Sequence, residues 1–327
     1  MINFSSLLVP AVLFFFLGLV AQLIKSDLKF PPDFTKALTI YLLIGIGLHG
    51  GIELAKVDVG AAMSAVLVAL VLGFTLPIVA YVALQKLGKI DALNAAAISA
   101  HYGSVSAGTF LSAIAFLEAI GQSYEAYPVI MLAIMESPAI IIGLVLASFA
   151  RKKLASPSSA PRNNSYKEVL KEAFTNGSVV LLFGGMLIGV VASEKSLVKI
   201  MPLFDTMFMG ALCIFLLSMG MEAGKRLYEF KSVGKFLLAF GLLMPIFGGA
   251  IGLLAGHYVL GLGIGGTTLV AVLGASASYI AVPPAMRMAI PEANPSLYLT
   301  LTLGITFPFN VVFGIPLYYQ LAKLLSQ

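Results

Sequence analysis

Long apolar runs separated by short polar punctuation dominate this chain. Ten of them, at 5–24, 36–54, 60–85, 92–119, 127–150, 175–193, 204–223, 233–260, 266–290 and 297–322, come close to or exceed the roughly 20 residues a helix needs to cross a bilayer. The strict alternation of a membrane β-barrel strand is absent. The pattern therefore predicts an all-α integral membrane protein with ten transmembrane helices. The first run, Ser5 to Ile24, lacks the basic n-region of a cleaved signal peptide and reads as a first span. Composition agrees, with 59% hydrophobic and 11% charged residues, against about 25% charged in a soluble domain.

Charge adds orientation. The net charge of +5 on a membrane protein reports topology and not nucleic-acid binding. The loops after the odd-numbered spans, with the residues bordering them, hold sixteen of the twenty Lys and Arg. The positive-inside rule then places those loops in the cytoplasm and both termini outside. The stretch from Arg151 to Asn164 is rich in Ser, Pro, Asn and basic residues, the composition of a solvated linker. It divides the chain into a first five-helix repeat (1–150), a cytoplasmic linker (151–172) and a second repeat (173–327). With five spans per half, the second half starts from the opposite side. Collinear likenesses support an inverted 5+5 repeat: Leu42 to Gly51 with Phe215 to Gly224, and Thr75-Leu-Pro-Ile78 with Leu243-Met-Pro-Ile246.

Two places interrupt the apolar pattern at matching depth. Ala100 to Thr109 in the fourth span and Gly274 to Ala285 in the ninth are runs of small, hydroxyl-bearing and helix-breaking residues. Irregular backbone survives in hydrocarbon only where protein buries it or it lines a cavity. If each span restarts as a second helix, two helix N-termini meet near mid-membrane from opposite sides, and their free N–H groups favour an anion. Pro283 and Pro284 suit the first turn of such a restart. Ser104, Ser106, Thr109, Ser276 and Ser278 add hydroxyls. Close helix packing through small residues is the competing explanation.

Glu136 is the one carboxylate deep in a span, followed by Ser137-Pro138. A charge at that depth costs about 3 kcal/mol or more and marks function. No Lys or Arg lies deep in a span to neutralise it, which leaves Na+ or a proton as partner. Thr306 and Asn310, flanking Pro308 in the second half, offer neutral oxygens suited to a hard cation. The candidate cation ligands are thus Glu136, Thr306 and Asn310, with the hydroxyls of Ser106, Thr109 and Ser278 nearby. His49, Glu53 and Glu222 lie near span ends and read as interfacial, and His101 adjoins the first break. The single Cys213 excludes an intrachain disulfide, and no Cys/His cluster has metal-site spacing. Phosphate-binding Gly-Lys-Ser/Thr loops, Gly-x-Ser-x-Gly elbows and His-Glu-x-x-His motifs are absent, so an enzyme is not expected.

The run Ala275-Ser-Ala-Ser-Tyr-Ile-Ala-Val-Pro-Pro-Ala-Met-Arg-Met-Ala-Ile-Pro-Glu-Ala-Asn-Pro-Ser296, with Leu303-Gly-Ile-Thr-Phe-Pro-Phe-Asn310 and Gly314-Ile-Pro-Leu317, resembles the SbtA-type sodium-dependent bicarbonate transporters of cyanobacteria. Looser likenesses at Ile46 to Gly51, Ser123 to Ala126 and Met135 to Ala139 extend the resemblance over nearly the whole chain. It implies a ten-span inverted-repeat carrier with core and gate domains, interrupted helices 4 and 9, assembled as a homotrimer. It also implies a possible PII-like regulator at the cytoplasmic face. By matching motif the substrate region maps to Val105, Ser106, Ala107, Gly108 and Thr109 and to Ser276, Ala277 and Ser278, with Ser104 and Tyr279 beside them. The cation carboxylate maps to Glu136, where the family pattern has Asp, and Ser106-Ala-Gly-Thr109 stands where it has Ser-Gly-Ser-Thr.

The expectation is a Na+-coupled symporter for bicarbonate or a similar small anion. It would work by elevator-like alternating access in the inner (plasma) membrane, with Na+ as coupling ion and no organic cofactor. One alternative is a cation/proton antiporter using Glu136. Another is a non-transporting membrane sensor signalling through the 151–172 linker.

Overall fold

The computed structural model describes residues 9–55, 59–154, 177–227 and 230–327. Among them all regular elements are helices: α1 (Pro10–Leu23), α2 (Pro32–Leu54), α3 (Val59–Lys86), α4 (Ala92–Gly103), α5 (Ala107–Ala119), α6 (Tyr127–Leu154), α7 (Gly177–Val191), α8 (Glu194–Phe204), α9 (Phe208–Leu227), α10 (Phe230–Leu254), α11 (Ile264–Ala275), α12 (Val282–Ala289) and α13 (Pro295–Leu325). Wide π turns extend α10 over Ala255–Val259 and interrupt α13 at Thr300–Thr306 and Asn310–Gly314. Six stretches of the described residues are long and apolar enough to cross a membrane, and Pro10–Leu23, Val180–Val191 and Ile264–Ala275 are shorter apolar helices.

Among the described residues the expected apolar runs fall largely on helices, and the fourth and ninth are each split in two. Local chemistry sets several of the ends. Pro10 and Pro32 open α1 and α2, where the missing amide donor is no loss. The Asp91 carboxylate accepts the Asn94 amide at 3.0 Å and caps α4. The expected linker begins inside α6, which continues to Leu154; residues 155–172 lie outside the described residues. Helix α8 was not expected. It docks on α2 by stacking Phe204 on Tyr41 at 5.5 Å between ring centroids, while the Tyr41 hydroxyl donates to the Leu203 carbonyl.

By contact the helices sort largely into two sets, which meet where α9 packs on α13 and where α2 and α7 pack on α6. In one, α1 packs on α9 and α2 on α7; in the other, α3 packs on α4 and α6, α4 on α6, α10 on α11 and α13, and α11 on α13. Lipid offers no hydrophobic drive for helix association, so close approach through small residues provides the packing. A Cβ added at Gly18 would lie 1.9 Å from the Leu217 carbonyl, and one at Gly220 2.0 Å from that of Phe15, so α1 and α9 touch backbone to backbone. The same holds for Gly51 of α2 against Met186 of α7, at 2.1 Å, and for Gly248 of α10 against Gly274 of α11, at 2.0 Å. The last of these contacts leads straight to a helix break.

Candidate functional site

Helix α4 stops at Gly103, and Ser104 to Ser106 run extended before α5 starts at Ala107. Here the Ser106 hydroxyl accepts from the Thr109 amide at 3.1 Å and from the Thr109 hydroxyl at 2.9 Å, capping α5. That leaves the amides of Ala107 and Gly108 as donors of the first turn without a bond inside the helix. Behind the break, a Cβ on Gly103 would fall 2.3 Å from the Pro77 ring of α3, so the chain turns where only glycine clears that ring. In the second half α11 ends at Ala275, Ser276 is extended, and α12 begins at Val282 with proline in its first turn.

The two breaks touch. The Ser106 amide donates to the Ser276 hydroxyl at 3.2 Å, and the Ser278 amide donates to the His101 carbonyl at 2.9 Å. Ser276 in turn donates to the Leu273 carbonyl of its own helix at 3.0 Å. Each irregular segment thus satisfies backbone groups of the other, as burial requires. Ser104, Ser106, Thr109, Ser276, Ser278, Val105 and Ala277 are all buried.

Glu136 of α6 faces this crossing. Its side chain is 3% exposed, its Oε2 has no protein partner among the described residues, and it lines a small cavity with Val105, Ser106, Ala107, Ser278, Tyr279, Ile280 and Ala281. The space measures about 10 Å³, room for about one water or bare ion. Of the expected cation ligands, Glu136, Ser106 and Ser278 are brought together. Thr109 is engaged by Ser106. Thr306 and Asn310 do not line the cavity: Thr306 donates to the Gly241 carbonyl at 2.7 Å and meets the Tyr102 hydroxyl at 2.7 Å. The Asn310 amide donates to the Ala275 carbonyl at 2.8 Å, capping the broken end of α11. Gly108 lies under Tyr279, whose hydroxyl would be 2.1 Å from a Cβ at that position. His101 is buried against the Tyr298 ring, 4.4 Å between centroids, with Nδ1–H donating to the Ala97 carbonyl.

Of two larger cavities, one adjoins the crossing. This one, of about 490 Å³, is lined by the start of α2 (Thr35, Lys36, Thr39), by Phe215 and Glu222 of α9, and by Tyr279 and Ile280 of the second break. The other, about 370 Å³, is lined by His49, Glu53, Glu118, Tyr124 and Asp205 and shares no residue with the Glu136 cavity. The sequence placed His49 and Glu53 in interfacial water; what it did not reveal is the pairing of His49 with Asp205. A lone Asp following an amphipathic segment carries no signal of a partner 156 residues away.

Comparison with curated proteins returned no match. The profile of the Na+-dependent bicarbonate transporter superfamily matches residues 10–323, nearly the full chain, and the protein belongs to that family.

Proposed function

We propose that this protein is a Na+-coupled symporter for bicarbonate or a similarly small anion, with the crossing of the two breaks as its ion site. The observation that carries the reading is the Glu136 carboxylate, 3% exposed and with Oε2 unpartnered, facing Ser106 and Ser278 where two helices restart. A buried acid with no cationic side chain lining its cavity calls for a bound cation or a proton, and the symport reading takes the cation. Na+ sits against Glu136 with Ser106 and Ser278 as neutral oxygens, and the anion meets the amides of Ala107 and Gly108 at the start of α5, beside the positive dipole end of α12, whose Pro283 and Pro284 carry no amide donor. Each ion offsets the other's charge, so binding is mutually reinforcing. Moving one negative charge inward against the membrane potential costs about 2.3 kcal/mol per 100 mV, which a co-transported Na+ cancels.

Ten spans in an inverted 5+5 repeat, residues 1–150 and 173–327, fit the contact pattern. The pairing of α1 with α9 has its counterpart in α7 with α2, that of α3 with α4 in α10 with α11, and that of α3 with α6 in α10 with α13. In this reading α3–α6 and α10–α13 form the moving core and α1, α2, α7 and α9 the fixed gate. The exposed apolar face of the gate, including Leu17 and Leu187, meets lipid or sister subunits of a homotrimer in the plasma membrane. Both termini lie outside, and the 151–172 linker faces the cytoplasm, where a PII-like regulator would dock.

One observation favours a second reading. A 10 Å³ space admits a bare cation but not a four-heavy-atom anion without rearrangement, as a cation/proton antiporter would have it. Uptake of labelled bicarbonate and a panel of small anions into proteoliposomes, with and without Na+, decides. Anion uptake that requires Na+ supports symport; Na+ flux indifferent to every anion supports the antiporter.

A further inference from the structure

We propose that the Tyr279 side chain is the door between the Glu136 cavity and the larger vestibule at the start of α2. The inference deepens the reading above and rests on it for what passes through. Tyr279 and its neighbour Ile280 are the residues that line both the 10 Å³ cavity and the 490 Å³ vestibule, so the wall between the two spaces is theirs. Ile280 is 37% exposed and belongs to the vestibule side. Tyr279 is 8% exposed and reaches back over the start of α5, its hydroxyl occupying the place a Cβ on Gly108 would take. The position is held from the side by an edge contact with Phe307, 5.3 Å between centroids, and Phe307 makes a second edge contact with Phe15 of α1 at 5.5 Å.

The geometry gives the ring two jobs. Lying inward, it covers the first turn of α5, where the Ala107 and Gly108 amides are the free donors, and leaves room for one bare ion beside Glu136. Rotated about its Cα–Cβ bond toward the vestibule, it opens that turn to a larger anion arriving past Lys36. The 370 Å³ cavity shares no lining residue with the ion cavity, so the route through Tyr279 leads to the side where α2 starts.

The test does not require transport. Cys213 is the sole cysteine and is buried, so Cys213→Ser provides a thiol-free background. Ser278→Cys in the full chain, reconstituted in liposomes, is then exposed to a membrane-impermeant, negatively charged methanethiosulfonate from each side in turn. With Tyr279 present, labelling is slow and comes only from the α2-start side. Tyr279→Ala speeds it at least about tenfold, the equivalent of removing a barrier of ~1.4 kcal/mol. Gly108→Ala, which displaces the hydroxyl without removing the ring, provides a second variant should Tyr279→Ala fail to fold, and it also speeds labelling. Unchanged rates in the folded variants, or labelling from the opposite side, overturn the door. Uptake measured on the wild type separates the two claims. Faster labelling with no Na+-dependent anion uptake keeps the door and overturns symport; normal uptake with unchanged labelling does the reverse.

Discussion

The Ser106 amide donates to the Ser276 hydroxyl at 3.2 Å across 170 residues of chain. This bond joins the two broken spans and fixes how the start of α5 sits against the end of α11. With the Ser278 amide on the His101 carbonyl, it makes the crossing a single unit in which each irregular segment completes the other.

Ser276→Ala removes that acceptor and leaves a buried amide unpaired. The expected loss is about 1–3 kcal/mol, read as a lowered melting temperature of the purified protein in detergent. Unchanged melting would mean the Ser106 amide finds another partner and the two breaks are not joined by this bond.

Asn310→Asp distinguishes a brace from a ligand. The Asn310 amide donates to the Ala275 carbonyl, and Asp, nearly isosteric, sets an acceptor against an acceptor there. A loss of about 1–3 kcal/mol in stability is expected, with weaker uptake and no gain in Na+ affinity. Tighter half-saturation by Na+ in the variant would make residue 310 a cation ligand, as its residue type alone suggested.

Gly51→Leu drives α2 from α7, because its Cβ would lie 2.1 Å from the Met186 carbonyl. Overpacking of this kind costs about 1–3 kcal/mol and often more where backbone cannot yield. A sharp loss of monodisperse protein on size-exclusion chromatography is expected. Gly184→Ala, with nothing within 4 Å of the added carbon, is the matched control and should behave as wild type.

Much of this architecture was legible because hydrocarbon enforces it. Apolar runs long enough to span must be helices, and the run at 92–119 had to break where Gly103 to Ser106 leave the backbone unsupported. Proline in the first turn of α12 marks the second restart in the sequence itself. Glu136 stood out because an acid in mid-span has few structural reasons to exist. The roles of Thr306 and Asn310 were not legible. A broken helix leaves carbonyls at its end that need donors, and sequence does not say which polar side chain the fold will bring to them. Helix α8 and the His49–Asp205 pair were hidden for a related reason: both depend on how α2 meets the segment before α9, a packing relation that no local pattern encodes.

Sodium dependence at Glu136 tests the central claim most directly. Labelled bicarbonate uptake is followed in proteoliposomes over a range of Na+ concentrations for wild type and Glu136→Gln. The account expects Na+-dependent uptake in wild type and its loss in the variant, with chromatographic behaviour and melting retained. Uptake in Glu136→Gln with the same Na+ dependence as wild type would remove the buried acid from coupling and contradict the mechanism proposed here.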